Sequence, residues 1–116
     1  MPIQAAKIRL RFALSATVAM GPGKADLLSH IADTGSIAAA ARKMKMSYRR
    51  AWLLLAELNG CFTSPVVETA KGGRGGGGGA TLTPLGRDLL KRYRSMVAKT
   101  ERAAAADFKA ISANFR

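Results

Sequence analysis

Between Lys71 and Ala80 the chain places seven glycines in the eight positions from Gly72 to Gly79, interrupted only by Arg74. Glycine loses more conformational freedom on folding than any other residue, so such a run suits neither the interior of a helix nor that of a strand. It also has no side chains to give to a core. The segments on either side, Val66 to Thr69 and Ala80 to Thr83, are rich in strand formers. Two short strands flanking a loop without side chains predict a β-hairpin with a glycine tip. A phosphate-cradling loop would need Lys-Ser or Lys-Thr directly after the last glycine and a helix starting there. Ala80 and Thr81 begin a strand instead, so that reading fails.

Apart from one strand candidate near the start, helical signals fill the rest of the chain. Ile8, Leu10, Phe12 and Leu14 alternate with Lys7, Arg9, Arg11 and Ala13, the period of a half-buried strand. Gly21, Pro22 and Gly23 then break the chain. Lys24 to Thr34 carries Leu27, Leu28 and Ile31 at helical spacing, with Gly35 in the place of a C-terminal cap. Ser36 caps a second helix from Ile37 to Met44, in which Ala38 to Ala41 are so small that a neighbouring helix can approach closely. After a turn at Lys45 and Met46, Ser47 caps a third helix, Tyr48 to Asn59. The fold class is therefore mainly α with a small β-hairpin wing: a winged helix-turn-helix over residues 1–83, followed by a long C-terminal helix over residues 84–116.

Nineteen Lys and Arg against seven Asp and Glu leave a net charge of +12 on 116 residues. A field of that size favours polyanions, nucleic acid above all. Arg42, Lys43 and Lys45 stand just ahead of the third helix, and no acidic residue lies between Asp33 and Glu57 to pair with them. On a helical wheel Ala51, Leu55 and Leu58 share one face, Tyr48, Trp52 and Leu54 lie at its edges, and Arg49, Arg50, Leu53 and Glu57 lie opposite. The opposite face is the reading face. Arg49 and Arg50 occupy the first turn, where a recognition helix meets base edges and phosphates, and Leu53 suits a thymine methyl. Ser47 and Tyr48 can both donate hydrogen bonds to phosphate oxygen, and Ser36 is assigned to the DNA-binding surface with them. Trp52 reads as core, and Met44 and Met46 as packing at the turn. At the hairpin tip Lys71 and Arg74 are the only charges, and the bare backbone of Gly72, Gly73 and Gly75 can press close to a surface.

The last segment, begun by the cap Thr83 and by Pro84, runs about 30 residues, or roughly 45 Å if helical throughout. Leu85, Leu89, Tyr93, Met96, Val97, Thr100, Ala104, Phe108, Ile111 and Phe115 form a seam along it at spacings of three and four. Either this seam packs on a partner helix, or a break near Ala103 to Ala106 lets it fold back. The length favours a second copy, with Leu89, Tyr93, Met96, Val97, Phe108 and Ile111 at the joint.

Catalysis finds no support in the residues. His30, the sole histidine, has no candidate nucleophile beside it, and Cys61, the sole cysteine, has no basic neighbour close in sequence and reads as a small buried hydrophobe. One cysteine makes neither an internal disulfide nor a Cys-based zinc site, which fits a cytoplasmic setting. No stretch reaches the length needed to span a membrane. The charge alone fits non-specific binding, architectural or to RNA, as well as it fits specific binding. The chain lacks the stacked aromatic sheet surface that single-strand binders use.

The combination of GSIAAAARKMKMSYRRAW, Gly35 to Trp52, with ETAKGGRGGGGGATLTPLGRDLL, Glu68 to Leu90, resembles the DNA-binding domain of the ModE family of molybdenum-responsive bacterial regulators. The winged helix of that family is akin to that of LysR-type regulators. The resemblance implies a homodimer on a palindromic double-stranded DNA operator, joined through the long helix, with Ser47 to Arg50 in the major groove and Lys71 to Gly79 as the wing. It also implies that molybdate, where the family binds it, sits in a separate C-terminal part that would begin where this chain ends. The expectation is therefore a regulator without the molybdate-binding domain and without a cofactor of its own.

Overall fold

The computed structural model describes residues 7–70 and 79–116, and within them the chain is mainly helical with two small antiparallel strand pairs. Strands β1 (Phe12–Ala13) and β2 (Ala19–Met20) pair first. Helices α1 (Pro22–Thr34), α2 (Ile37–Lys43) and α3 (Tyr48–Asn59) follow. Strands β3 (Val67–Thr69) and β4 (Ala80–Leu82) form the second pair, and α4 (Pro84–Ala103) and α5 (Ala105–Ser112) complete the chain.

The local signals place the helices. Helix α1 starts two residues earlier than Lys24, because Pro22 at its first position gives up an N–H that would be unpaired anyway. Gly35 ends it in the left-handed conformation, φ 70°, and donates its N–H to the Ile31 carbonyl at 2.8 Å. Ser36 caps α2 by accepting the Ala39 N–H at 3.1 Å. Ala40 and Ala41 are buried with Ile37, so the alanine helix meets α1 through side chains of almost no bulk. The core gathers around Met20, Leu27, Leu28, Ile31, Leu58 and Val66, all essentially without exposure. Removing that apolar area from water is the main stabilising term.

The hairpin has the register Val67 to Leu82, Glu68 to Thr81 and Thr69 to Ala80, extended by one bond from the Ala70 N–H to the Gly79 carbonyl at 2.9 Å. Its stem is fastened on both edges. On one side the Ala80 N–H donates to the Gly35 carbonyl at 2.9 Å, ahead of α2. On the other, the side chain of Asn59, the last residue of α3, accepts from the Val66 N–H at 2.8 Å and the Val67 N–H at 3.3 Å and donates to the Val67 carbonyl at 3.3 Å. Replacing Asn59 by alanine leaves these backbone groups unpaired next to the buried Val66 and Val67. A loss of about 1–3 kcal/mol in unfolding free energy is expected, measured by urea denaturation.

At the start of α4, Thr83 is buried. Its hydroxyl donates to the Pro65 carbonyl at 2.7 Å and accepts the Gly86 N–H at 3.0 Å, while its own N–H donates to the Val66 carbonyl at 3.0 Å. Helix α4 comes so close to β3 here that a Cβ on Gly86 would overlap the Val66 carbonyl.

Residues 8–14 form a shorter strand than the alternation predicts, although its two faces are as expected. Leu10, Phe12 and Leu14 pack against the core, and Lys7, Arg9, Arg11 and Ala13 are exposed. Only Phe12 and Ala13 find a strand partner. Further upstream the backbone is held by α4: the Tyr93 hydroxyl donates to the Leu10 carbonyl at 2.6 Å, and the Ile8 N–H donates to Glu101 at 3.0 Å. Burial, with Asp26 as a lesser cause, raises the Tyr93 pKa above its ordinary 10.0, partly opposed by Arg9, so the phenol keeps the proton that this bond needs.

The last segment is two helices rather than one. The break falls at Ala104, inside the alanine run Ala103 to Ala106, where φ and ψ open to −90° and −2°. Hydrogen bonds from the Ala104 N–H to Thr100 and from the Phe108 N–H to Ala104 carry the chain across it, and α5 buries none of its side chains. Among the described residues no helix is long and apolar enough to cross a membrane, and no group of His, Cys, Asp and Glu gathers to hold a metal ion.

Candidate nucleic-acid interface

Helix α3 is presented by a specific turn. After α2 the Met46 N–H donates to Ala41 and the Lys45 N–H to Arg42, at 3.0 and 3.1 Å, which is the Schellman pattern. The left-handed position of that motif, usually glycine, is Lys45 at φ 56°. Met46, the next residue, is half-buried against the core together with Met44, as the turn assignment predicts. Ser47 then caps α3 by accepting the Arg50 N–H at 3.0 Å. Both capping hydroxyls, Ser36 and Ser47, act as acceptors in these bonds and keep their O–H donors.

Helix α3 buries Ala51, Leu55 and Leu58, the three expected residues. Its outward residues are exposed: Arg49 and Arg50, Tyr48 at 55% and Leu53 at 47%. Arg42, Lys43 and Lys45 are exposed on the same run of chain. Among the described residues the one ion pair is Arg92 with Asp88 at 2.9 Å, on α4, so these five cations face solvent without a carboxylate partner. At 100° per residue Arg49 and Leu53 straddle the direction away from the core, and Trp52 and Arg50 lie about 80° to either side of it.

Trp52 requires a correction. It is 49% exposed rather than core. Ala51, Leu55 and Leu58 already fill the inward face, and the step of 100° from Ala51 carries the indole to the flank of α3 that faces the hairpin. There it overhangs a cleft of about 340 Å³ lined by Ile37, Leu55, Ala56, Asn59, Val67 and Thr69. One smaller point also differs from expectation: Cys61 is half-buried rather than buried. His30 is half-buried, with a buried Nδ1 that finds no hydrogen-bond partner among the described residues.

Lys71, Gly72, Gly73, Arg74 and Gly75, assigned to the wing tip, lie outside the described residues. The stem that carries them is described, and Asn59 and Gly35 set its position beside α3. Sequence reasoning missed Asn59. An asparagine at a helix end is a common sight, and nothing local announces that its amide clasps a strand seven residues on.

The residues expected at the joint separate into two groups. Tyr93, 5% exposed, belongs to the chain's own core, because the N-terminal segment lies over it with Phe12 at 6.4 Å between ring centres. Leu89 and Val97 are half-buried against that core. Met96 and Ile111 remain exposed at 41% and 61%, while Phe108 is half-buried and meets the exposed Phe115 edge to face at 5.9 Å.

No protein-family model matches the chain. Individual proteins do. The molybdenum-pterin-binding protein MopB of Rhodobacter capsulatus is 44% identical over 79 residues, 68% of this chain and 29% of MopB. ModE of Escherichia coli K12, a DNA-binding transcriptional dual regulator, is 40% identical over 88 residues, 76% of this chain and 33% of ModE. This chain is a ModE homologue. A further relative is the molybdenum transport protein ModE of Herbaspirillum seropedicae, 43% identical over 70 residues, 60% of this chain and 26% of that protein. The chain spans about a third of the length of these relatives or less, and none of the three is named as an enzyme.

Proposed function

We propose that this ModE homologue is a sequence-specific, double-stranded DNA-binding transcriptional regulator of the winged helix-turn-helix type, acting as a homodimer on a palindromic operator. The observation that carries the reading is the outward face of α3, where Arg49, Arg50 and Leu53 stand exposed beside three further unpaired cations. A helix about 10–12 Å across fills a major groove of about 12 Å. Arg49 and Leu53, on its outermost line, then meet base edges, and Arg50, on the flank, meets a phosphate wall. The hairpin reaches the adjoining phosphates or minor groove as the wing. Met96, Phe108, Ile111 and Phe115 supply the apolar face on which two copies join.

The test is selection of duplexes from a random pool, with and without molybdate, the effector suggested by the names of MopB and the Herbaspirillum protein. A palindromic consensus is the expected outcome. Retention of random duplex alone points instead to an architectural binder. At the selected site Arg49→Ala is expected to cost about 1–3 kcal/mol and to relax one base position. Arg50→Ala is expected to weaken all sequences alike.

Lys45 gives an independent check. Lys45→Gly relieves roughly 1–2 kcal/mol of left-handed strain against roughly 0.4–1 kcal/mol of added unfolded-chain entropy. Thermal melting should therefore find the fold as stable as before or more so. Duplex titrations at several salt concentrations should find the slope of affinity against salt lower by about 1, the loss of one phosphate contact.

A further inference from the structure

We infer that the cleft between α3 and the hairpin is a seat for one sugar–phosphate strand of the duplex, with the Trp52 indole as the residue that closes on it; the inference rests on the DNA-binding reading above. Trp52 is the only tryptophan in the chain, and about half of its surface stays open to solvent beside the cleft. The described hydrogen bonds of this corner are made by Ser47 and Asn59, and none of them uses the Trp52 indole N–H. Indole is a donor without an acceptor, suited to a phosphate oxygen, and its apolar face suits a deoxyribose.

The geometry selects this occupant. With Arg49 and Leu53 toward the bases, a residue about 80° round the helix meets a wall of the groove, and a groove wall is a backbone strand. On the Trp52 side that wall must run between α3 and the hairpin stem, which is where the cleft lies, floored by Ile37, Leu55 and Ala56 and flanked by Val67 and Thr69. Charge agrees with a polyanion. Arg49 stands in the first turn of the same helix, and the two carboxylates nearest in sequence lie elsewhere, Glu57 on the opposite flank of α3 and Glu68 on the other face of β3 from Val67 and Thr69. The contact is to backbone, so it holds any sequence equally.

The experiment uses the full chain and a random-sequence duplex a few helical turns long at low salt. Trp52 fluorescence reports on the cleft directly, since no other tryptophan contributes. The expected result is that duplex shields the indole from acrylamide, and that Trp52→Phe, which keeps the ring and loses the N–H, weakens selected and random duplexes alike by about tenfold with unchanged thermal melting. Duplex binding that leaves the indole as open to acrylamide as before, or Trp52→Phe binding as tightly as the parent chain, overturns the inference while leaving the regulator reading intact. Failure of the parent chain to bind any duplex overturns both.

Discussion

Replacing Gly86 by alanine is expected to cost about 3 kcal/mol of folding stability, at the upper end of what overpacking a tight site costs. The sign is not obvious in advance. Gly86 lies in the first turn of α4, and alanine is the better helix former by about 1 kcal/mol. The opposing effect is steric: the new methyl would fall on the carbonyl of Val66, a backbone atom that cannot rotate away as a side chain can. Relief requires α4 and β3 to separate, which stretches the Thr83 to Val66 hydrogen bond and the Asn59 clasp on the same residue. Urea unfolding of the variant decides it, and a midpoint equal to or above the parent's would show that the two elements part easily.

The second large effect is on duplex binding. If Arg42, Lys43, Lys45 and Arg50 each neutralise one phosphate, the logarithm of affinity falls with the logarithm of salt at a slope of about −3.6 for each copy bound. Going from 50 to 200 mM salt, a fourfold rise, then weakens binding by about 150-fold. Fluorescence anisotropy of a labelled duplex across that range measures the slope. A value near zero would mean that these exposed cations meet no phosphate, and the assignment of the interface would fall with it.

The sequence carried the helices and their ends well, because the signals are local. Ser36, Ser47 and Thr83 each accept the N–H three residues on, and Gly35 takes the left-handed cap, as residue type alone predicts. The buried stripe Ala51, Leu55 and Leu58 follows from periodicity in the same way. What sequence hides is the choice of partner between distant segments. Alternation correctly divides residues 7–14 into two faces but does not reveal that α4 receives the inner one, which is how Tyr93 came to be expected at a joint between copies instead of beneath Leu10 and Phe12. Trp52 fails for a related reason: hydrophobicity argues for burial, and only the occupied inward face of α3 shows that there is no room for it.

Val66 ties these elements at one point. Its N–H is held by the end of α3, its carbonyl by the residue that begins α4, and its peptide lies against the one glycine of that helix. A twist imposed on the outer end of α4 would therefore reach α3 by a short path, the Val66 main chain and the one amide side chain of Asn59. A grip on the far end of that lever would then bear on the angle at which Arg49 and Arg50 stand.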